Sequence, residues 1–346
     1  MGRVSTDPAP TPVSAPRSGL AGPGDVGAAT VLTHSRAELA AALTGSPGLR
    51  AVVMTMGALH EGHFDLVREA ARRVGPAGTV VVTIFVNPLQ FAPTEDLDSY
   101  PRDLEGDLAG LARTVTGADG ALGVGRLVVF APTPEVIYPA GQPAVRIDPG
   151  PIATVLEGRT RPTHFAGVCQ VVLTLMHLTA PRWALFGRKD AQQLAIIESM
   201  VRDLAVPLEI VPVDIRRESD GLAMSSRNAY LSPEQRRQAL ALSRALQAGQ
   251  DVAAQAAGSG TRLDPAAIRR AALASLEAAD GVEIDYVALV DPAGFEDLTD
   301  AGLGLPRSAS VREGTGEGLP AVGLLAVAAR VGTTRLIDNT LIDLRP

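Results

Sequence analysis

Two of the five histidines in this 346-residue chain, His60 and His63, lie three positions apart in "MTMGALHEGHFDL" (residues 54–66), just after the apolar Ala51-Val52-Val53. A zinc-protease motif needs histidines four apart, and no further His or Cys lies nearby in sequence to complete a metal site. At a strand-to-helix turn, positions i and i+3 share a face, and a helix start offers unpaired N–H groups to an anion. Gly57 and Gly62 allow backbone or ligand to approach closely. The H-x-G-H therefore reads as a cradle for a nucleotide phosphate; the plain alternative is two surface histidines on a helix.

The 31 basic residues include a single lysine, Lys189, in "FGRKDAQQL" (186–194), again at a strand-to-helix junction. A compact, rotatable ammonium differs from the planar fork of arginine that the chain uses everywhere else. It suits neutralising phosphate charge as it develops during substitution at phosphorus, with Asp190 beside it for a ribose hydroxyl. A helix-capping Lys-Asp pair on the surface is the other reading. A third stretch, "GLAMSSRNAYLS" (221–232), offers hydroxyl and guanidinium donors suited to polyphosphate, or is an ordinary linker. A fourth, "FVNPLQFAPTEDLDSYPRDLEGD" (85–107), sets Gln90 near an Asn-Pro turn and brings Glu105 and Asp107 as hard-oxygen candidates for Mg²⁺. An acidic helix start would look the same. Neither a Walker A motif nor a G-x-G-x-x-G fingerprint occurs.

These stretches fall at the ends of alternating strand and helix patterns. Leu49–Thr55 reads as a buried strand, and 60–74 as a helix with Leu66, Val67 and Ala70 inward. "TVVVTIFVN" is a β-branched central strand, followed by a helix over 103–113, a loop-like insert at 116–126 and the strand "LVVFAP". "HFAGVCQVVLTLMHL" predicts a helix, "WALFG" a strand, "AQQLAIIESMVRDL" a helix and "EIVPVDI" a strand. The alternation implies right-handed crossovers and a doubly wound parallel α/β sheet over residues 29–215, with sites at the strand carboxyl ends. Beyond it Ser232, Pro233 and Gln235 open a helix with a capping box, and Asp264-Pro265 starts another. Strands in "DYVALVD" and "AVGLLAVAARV" complete a smaller C-terminal α+β domain or lid at 216–346, with a loop over 302–320. Residues 1–28, rich in Pro, Ala and Ser, read as a disordered tail.

Bulk properties narrow the function classes. A formal net charge of −7 argues against nucleic acid as a partner. The apolar runs are too short for a membrane span. One cysteine, Cys169, excludes an internal disulfide and a cysteine-based zinc cluster. With no export signal evident, cytoplasmic residence is expected.

Taken in order, "TMGALHEGH", "FVNPLQF" with "DLDSYPRDLEGD", "RPTHFAGV", "FGRKDAQQL", "DGLAMSSRNAYLS" and "ARVGTTRLIDN" resemble the pantoate–β-alanine ligase family of the HxGH nucleotidyltransferases. The resemblance spans residues 30–346 apart from two inserts, 116–126 and 304–320. It implies a Rossmann-like domain and an ATP-dependent ligation of pantoate with β-alanine through a pantoyl adenylate, releasing pyrophosphate and AMP. His60 and His63 would line the phosphate site, with His63 as proton donor; Lys189 would stabilise the α-phosphate, and Ser225, Ser226 and Arg227 the pyrophosphate. Gly187 and Asp190 would bind the ribose, Gln90 and Gln193 pantoate, and Asp107 Mg²⁺. Met56, Gly57, Gly62, Arg216 and Met224 complete the expected ATP contacts, and a homodimer is expected. Departures from the family pattern are Met54 in place of proline, Arg188 in place of glutamate, Ala191 in place of an aromatic, and Arg216 in place of a small apolar residue. Two other readings are a different HxGH nucleotidyltransferase and a catalytically silent relative.

Overall fold

The structure, a computed structural model, describes residues 30–46, 48–92, 97–98, 100–116, 123–299 and 320–345. The expectations for the tail 1–28, for residues 117–122 of the stretch 116–126 and for residues 302–319 of the stretch 302–320 lie outside the described residues.

Six parallel strands form the larger sheet: β1 (Thr30–Thr33), β2 (Arg50–Thr55), β3 (Thr79–Ile84), β4 (Arg126–Phe130), β5 (Trp183–Gly187) and β6 (Glu209–Val213), in the order β1-β4-β3-β2-β5-β6. Their β-branched, apolar runs fit burial on both faces. One face carries α1 (Arg36–Leu43), α6 (His164–Thr179) and α7 (Ala191–Asp203), whose Leu39, Phe165, Leu175 and Ile197 pack on Val52 and Val128. The other carries α2 (Glu61–Val74) and α3 (Leu104–Val115), whose Val67, Ala70 and Leu111 pack on Val53 and Val80. Two one-turn helices, α4 (Pro134–Ile137) and α5 (Glu157–Thr160), lie in the connection to α6.

The chain steps from β2 outward to β3 and β4, then returns to the other side of β2 with β5 and β6. β2 and β5 are neighbours in register (Val53 opposite Leu185), so the strand order reverses between them. In open α/β sheets the carboxyl ends at such a reversal leave a crevice, because the following connections depart in opposite directions. His60 follows β2 and Lys189 follows β5.

The second sheet is antiparallel: β7 (Val282–Val290), β8 (Val322–Val331) and β9 (Thr334–Asp343) in that order. Helices α8 (Pro233–Ser259) and α9 (Pro265–Glu277) cover one face through Leu242, Leu246 and Ile268. The opposite face packs Tyr286, Ala288, Leu324 and Ala326 against Val155, Leu156 and Ala195 of the larger unit. Arg335 of β9 closes this junction, donating to both Glu157 oxygens at 2.6 and 2.7 Å, while Tyr286 donates to Glu157 at 2.8 Å.

Some elements differ from the sequence expectation. β1 and α1 are additional, although Ser35 and Glu38 form the S-x-x-E capping box that marks the start of α1. β9 is visible in the sequence only as a motif; its pairing with β8 is a long-range partnership that local periodicity does not encode. The strand predicted over 79–87 stops at Ile84, because Asn87 turns to cap the 3-10 turn Pro88–Gln90, accepting from Leu89 N–H.

Candidate active site

The loop after β2 is shaped before it reaches the histidines. Gly57 (φ +90°) and Ala58 (φ +52°) both take positive φ, which reverses the chain within two residues. Asp107 of α3 holds that reversal: its carboxylate accepts from Ala58 N–H at 3.0 Å and from Leu59 N–H at 2.7 Å. The side chain is 3% exposed, and burial raises its carboxyl above the usual range, opposed by those two N–H donors. The sequence expectation placed Mg²⁺ at Asp107; in this structure its carboxylate clamps the loop. Both oxygens face backbone N–H groups, and no group of three His, Cys, Asp or Glu suited to a metal comes together among the described residues. Glu105, the other candidate, stands exposed in the first turn of α3, whose N-cap is Asp103.

His60 is the N-cap of α2 rather than its first residue. Its Nδ1 accepts from Gly62 N–H at 3.2 Å, and His63 Nδ1 accepts from His60 N–H at 3.3 Å. A nitrogen that accepts from an amide carries no proton, so both rings hold their hydrogen on Nε2. The rings lie 4.1 Å apart. Burial, then the nearby Lys189 ammonium, pushes His60 below the ordinary histidine range, against Glu218, Asp190 and Glu61. Burial, His60 and Lys189 push His63 down to about 3. The pair thus presents neutral Nε2–H donors, which bind an anion without needing a proton from solvent.

This depression has a thermodynamic consequence. Below the ordinary value of 6.5 the unfolded chain takes up a proton at His63 that the folded chain refuses until about pH 3. The contribution is full above pH 6.5 and declines as pH falls. Between pH 7 and pH 5 the wild type should lose about 1–2 kcal/mol more stability than His63→Gln, as read by denaturant titration at the two pH values.

Lys189 lies in a 3-10 turn, Arg188–Asp190, that leads from β5 into α7. It is half-buried and close enough to both imidazoles to lower their basicity. Arg188, the departure beside it, pairs at 3.2 Å with the exposed Asp214. At Gly187 the backbone φ is −74° and an added Cβ would meet nothing within 4 Å. Nothing in the protein itself demands glycine there.

The loop bearing Ser225, Ser226 and Arg227 folds over the start of α2. Gly62 N–H approaches Met224 Sδ at 3.3 Å, joining the two stretches directly. An antiparallel bridge between Arg217 and Ala223 closes the base of the loop, and Asn228 braces it by donating to Glu218 and Ala223. Ser225 caps a 3-10 turn, Ser226–Tyr230, accepting from Arg227 N–H. Arg216, expected among the ATP contacts, pairs with Asp65 of α2 at 3.1 Å and contributes its carbonyl to Met224 N–H.

A cavity of about 520 Å³ opens between the two sheets, lined by Lys189, Asp190, Gln193, Ser225, Arg227 and Asn339 among others. Gln193 is on its wall; Gln90 is set behind it, buried, donating to Met56 Sδ at 2.9 Å and accepting from Asn87 at 3.2 Å. Sequence reasoning missed His164 and Arg161, which line the cavity; His164 Nδ1 lies 3.1 Å from the Gln90 carbonyl. The stretch "RPTHFAGV" stands among the motifs, but only the fold carries it to Gln90. Met54 packs against the core face formed by Val52 and Phe165, and Ala191 borders the cavity.

Comparison with known proteins draws these features together. The sequence profile described as Pantoate-beta-alanine ligase matches residues 31–341. The chain belongs to the pantoate–β-alanine ligase family. It is 49% identical to the pantothenate synthetase of a Nocardioides strain over 90% of this chain and 85% of that one. Among solved structures it is similar to the pantothenate synthetase of Thermus thermophilus, with a TM-score of 0.74 and 41% identity over 91% of this chain and all (100%) of that one. It is also similar to the pantoate–β-alanine ligase of Francisella tularensis, solved with β,γ-ATP and β-alanine, with a TM-score of 0.64 and 28% identity, covering 90% and 98% of the two chains. The ligase family thus accounts for the parallel sheet, the smaller antiparallel sheet and the order of the motifs.

Proposed function

We propose that this chain joins pantoate to β-alanine, with ATP as co-substrate, in two steps. The carboxylate of pantoate attacks the α-phosphorus of ATP, forming pantoyl adenylate and expelling pyrophosphate. The amine of β-alanine then attacks the acyl carbon, forming the amide of pantothenate and releasing AMP. A carboxylate alone resists attack by an amine; conversion to the acyl phosphate ester supplies the leaving group.

One observation carries the reading. Two neutral imidazoles, one lysine and the Ser225-Ser226-Arg227 loop converge where the strand order reverses, beside a cavity between the sheets. In this reading Lys189 neutralises charge developing on the α-phosphate, and Nε2–H of His60 and His63 hydrogen-bonds the phosphates. His63 then donates as a neutral imidazole, not as an imidazolium. Ser225, Ser226 and Arg227 hold the departing pyrophosphate, with Met56, Gly57, Gly62 and Met224 closing around the nucleotide. Asp190 takes a ribose hydroxyl above Gly187, while Gln193 and Gln90 hold pantoate. Asp107 serves in this reading as the clamp on the loop, and Mg²⁺ would travel on the phosphates of ATP. The units 29–215 and 216–346 act as body and lid, and a cytoplasmic homodimer is the working form.

The deciding experiment is pantoate-dependent exchange of labelled pyrophosphate into ATP. Exchange with another acid in place of pantoate would redirect the reading to a different nucleotidyltransferase, and folded protein without exchange would mark a silent relative. The open space at Gly187 yields a sharper prediction. Gly187→Ala should leave the melting temperature unchanged while raising the KM for ATP about tenfold, the equivalent of about 1.4 kcal/mol of steric conflict. An unchanged KM would remove the ribose from that space.

A further inference from the structure

The stretch "TRLIDN" on β9 puts no charge of its own on the expected substrates, yet its side chains end on both loops that do. Asn339, 6% exposed, donates from Nδ2 to the carbonyl of Arg188 at 3.0 Å and to that of Lys189 at 2.8 Å. These are the carbonyls before and after the Lys189 Cα, so one side-chain amide fixes the peptide planes on both sides of it. The turn has no side-chain cap of its own. Asp338, the preceding residue, is 4% exposed and accepts from Arg217 at 2.6 and 3.0 Å. Arg217 forms the base of the Ser225–Arg227 loop through its bridge to Ala223. Successive side chains leave a strand on opposite faces. Two adjacent residues of one strand therefore reach two loops that are far apart in sequence.

We infer that Asn339 is a positioning residue for adenylate formation: from the C-terminal sheet it holds the Lys189 turn so that the ammonium meets the α-phosphate, while Asp338 anchors the pyrophosphate-side loop. The readout rests on the ligase reading, and the assignment itself rests on the bonds to the Lys189 turn. Side-chain amides suit this task because they donate two hydrogens in a fixed plane. A misplacement of about 1 Å at such a group costs about 100-fold in rate.

The test uses the full chain and pyrophosphate exchange. Asn339→Ala should lower kcat about 10- to 100-fold while the KM values for ATP and pantoate stay within about threefold. Asn339→Leu keeps the volume without the donors and should lose as much; it also serves if the alanine variant does not fold, with circular dichroism and thermal melts checking both. The discriminating readout is the double variant. If Asn339 acts through Lys189, adding Asn339→Ala to Lys189→Ala should cost less than about twofold more. Multiplying losses, or an Asn339→Leu enzyme of normal kcat, would overturn the inference and leave the ligase reading standing. A wild type without exchange would sink the ligase reading alone. The positioning role is then read from the His63 resonance, which Lys189 perturbs: its titration by NMR should shift on Asn339→Ala in the wild type and stay unchanged by it in Lys189→Ala.

Discussion

Lys189→Ala should cut pantoate-dependent pyrophosphate exchange by about 1,000-fold or more and leave the fold intact. The side chain forms no ion pair among the described residues, so its removal breaks no structural contact of that kind. What disappears is a positive charge beside two neutral imidazoles, in a crevice where water screens poorly. Lys189→Arg keeps the charge but widens it into a fork, and an expected loss of about 100-fold follows from misplacement. The variant also reports on His63, whose basicity Lys189 holds down. In Lys189→Ala the His63 resonance should titrate at higher pH than in the wild type, as followed by NMR. Near-normal turnover in Lys189→Ala would refute the catalytic assignment.

Asp107→Ala should destabilise the protein by about 2–4 kcal/mol, because two backbone amides in a buried loop lose their acceptor together. The same loop sets the entry to α2, and release of the Gly57-Ala58 reversal moves both imidazoles; exchange should fall about 100-fold. Asp107→Asn retains one acceptor and should lie between. Magnesium titration separates this role from the one expected from the sequence. A clamp predicts lowered stability with an unchanged half-saturating Mg²⁺ concentration. A metal ligand predicts the reverse.

The contrast at Asp107 illustrates why a site can be legible in sequence while one of its members is not. An acidic residue in the first turn of a helix near a proposed phosphate site looks the same whether it faces solvent, a metal or a backbone. Only the packing of α3 beside α2 turns its carboxylate onto residues 58 and 59, which lie 49 and 48 positions away. Arg216 is a similar case: an arginine near the Ser225–Arg227 loop, paired with Asp65 across 151 positions. Arg188, suspect as a charge reversal, turns away to Asp214.

Local pattern alone specified the alternation of strands and helices, the parallel sheet and the chemistry gathered at its carboxyl ends. Those features follow from periodicity, from caps such as Ser232-Pro233-Gln235, and from the donor, acceptor and charge type that each side chain carries by itself. Long-range packing settled the rest. It chose the strand order that brings His60 beside Lys189, and the partners of Asp107, Arg216 and Asn339. These are set by contacts between residues distant along the chain, where desolvation and hydrogen-bond geometry, not spacing, determine what each group does.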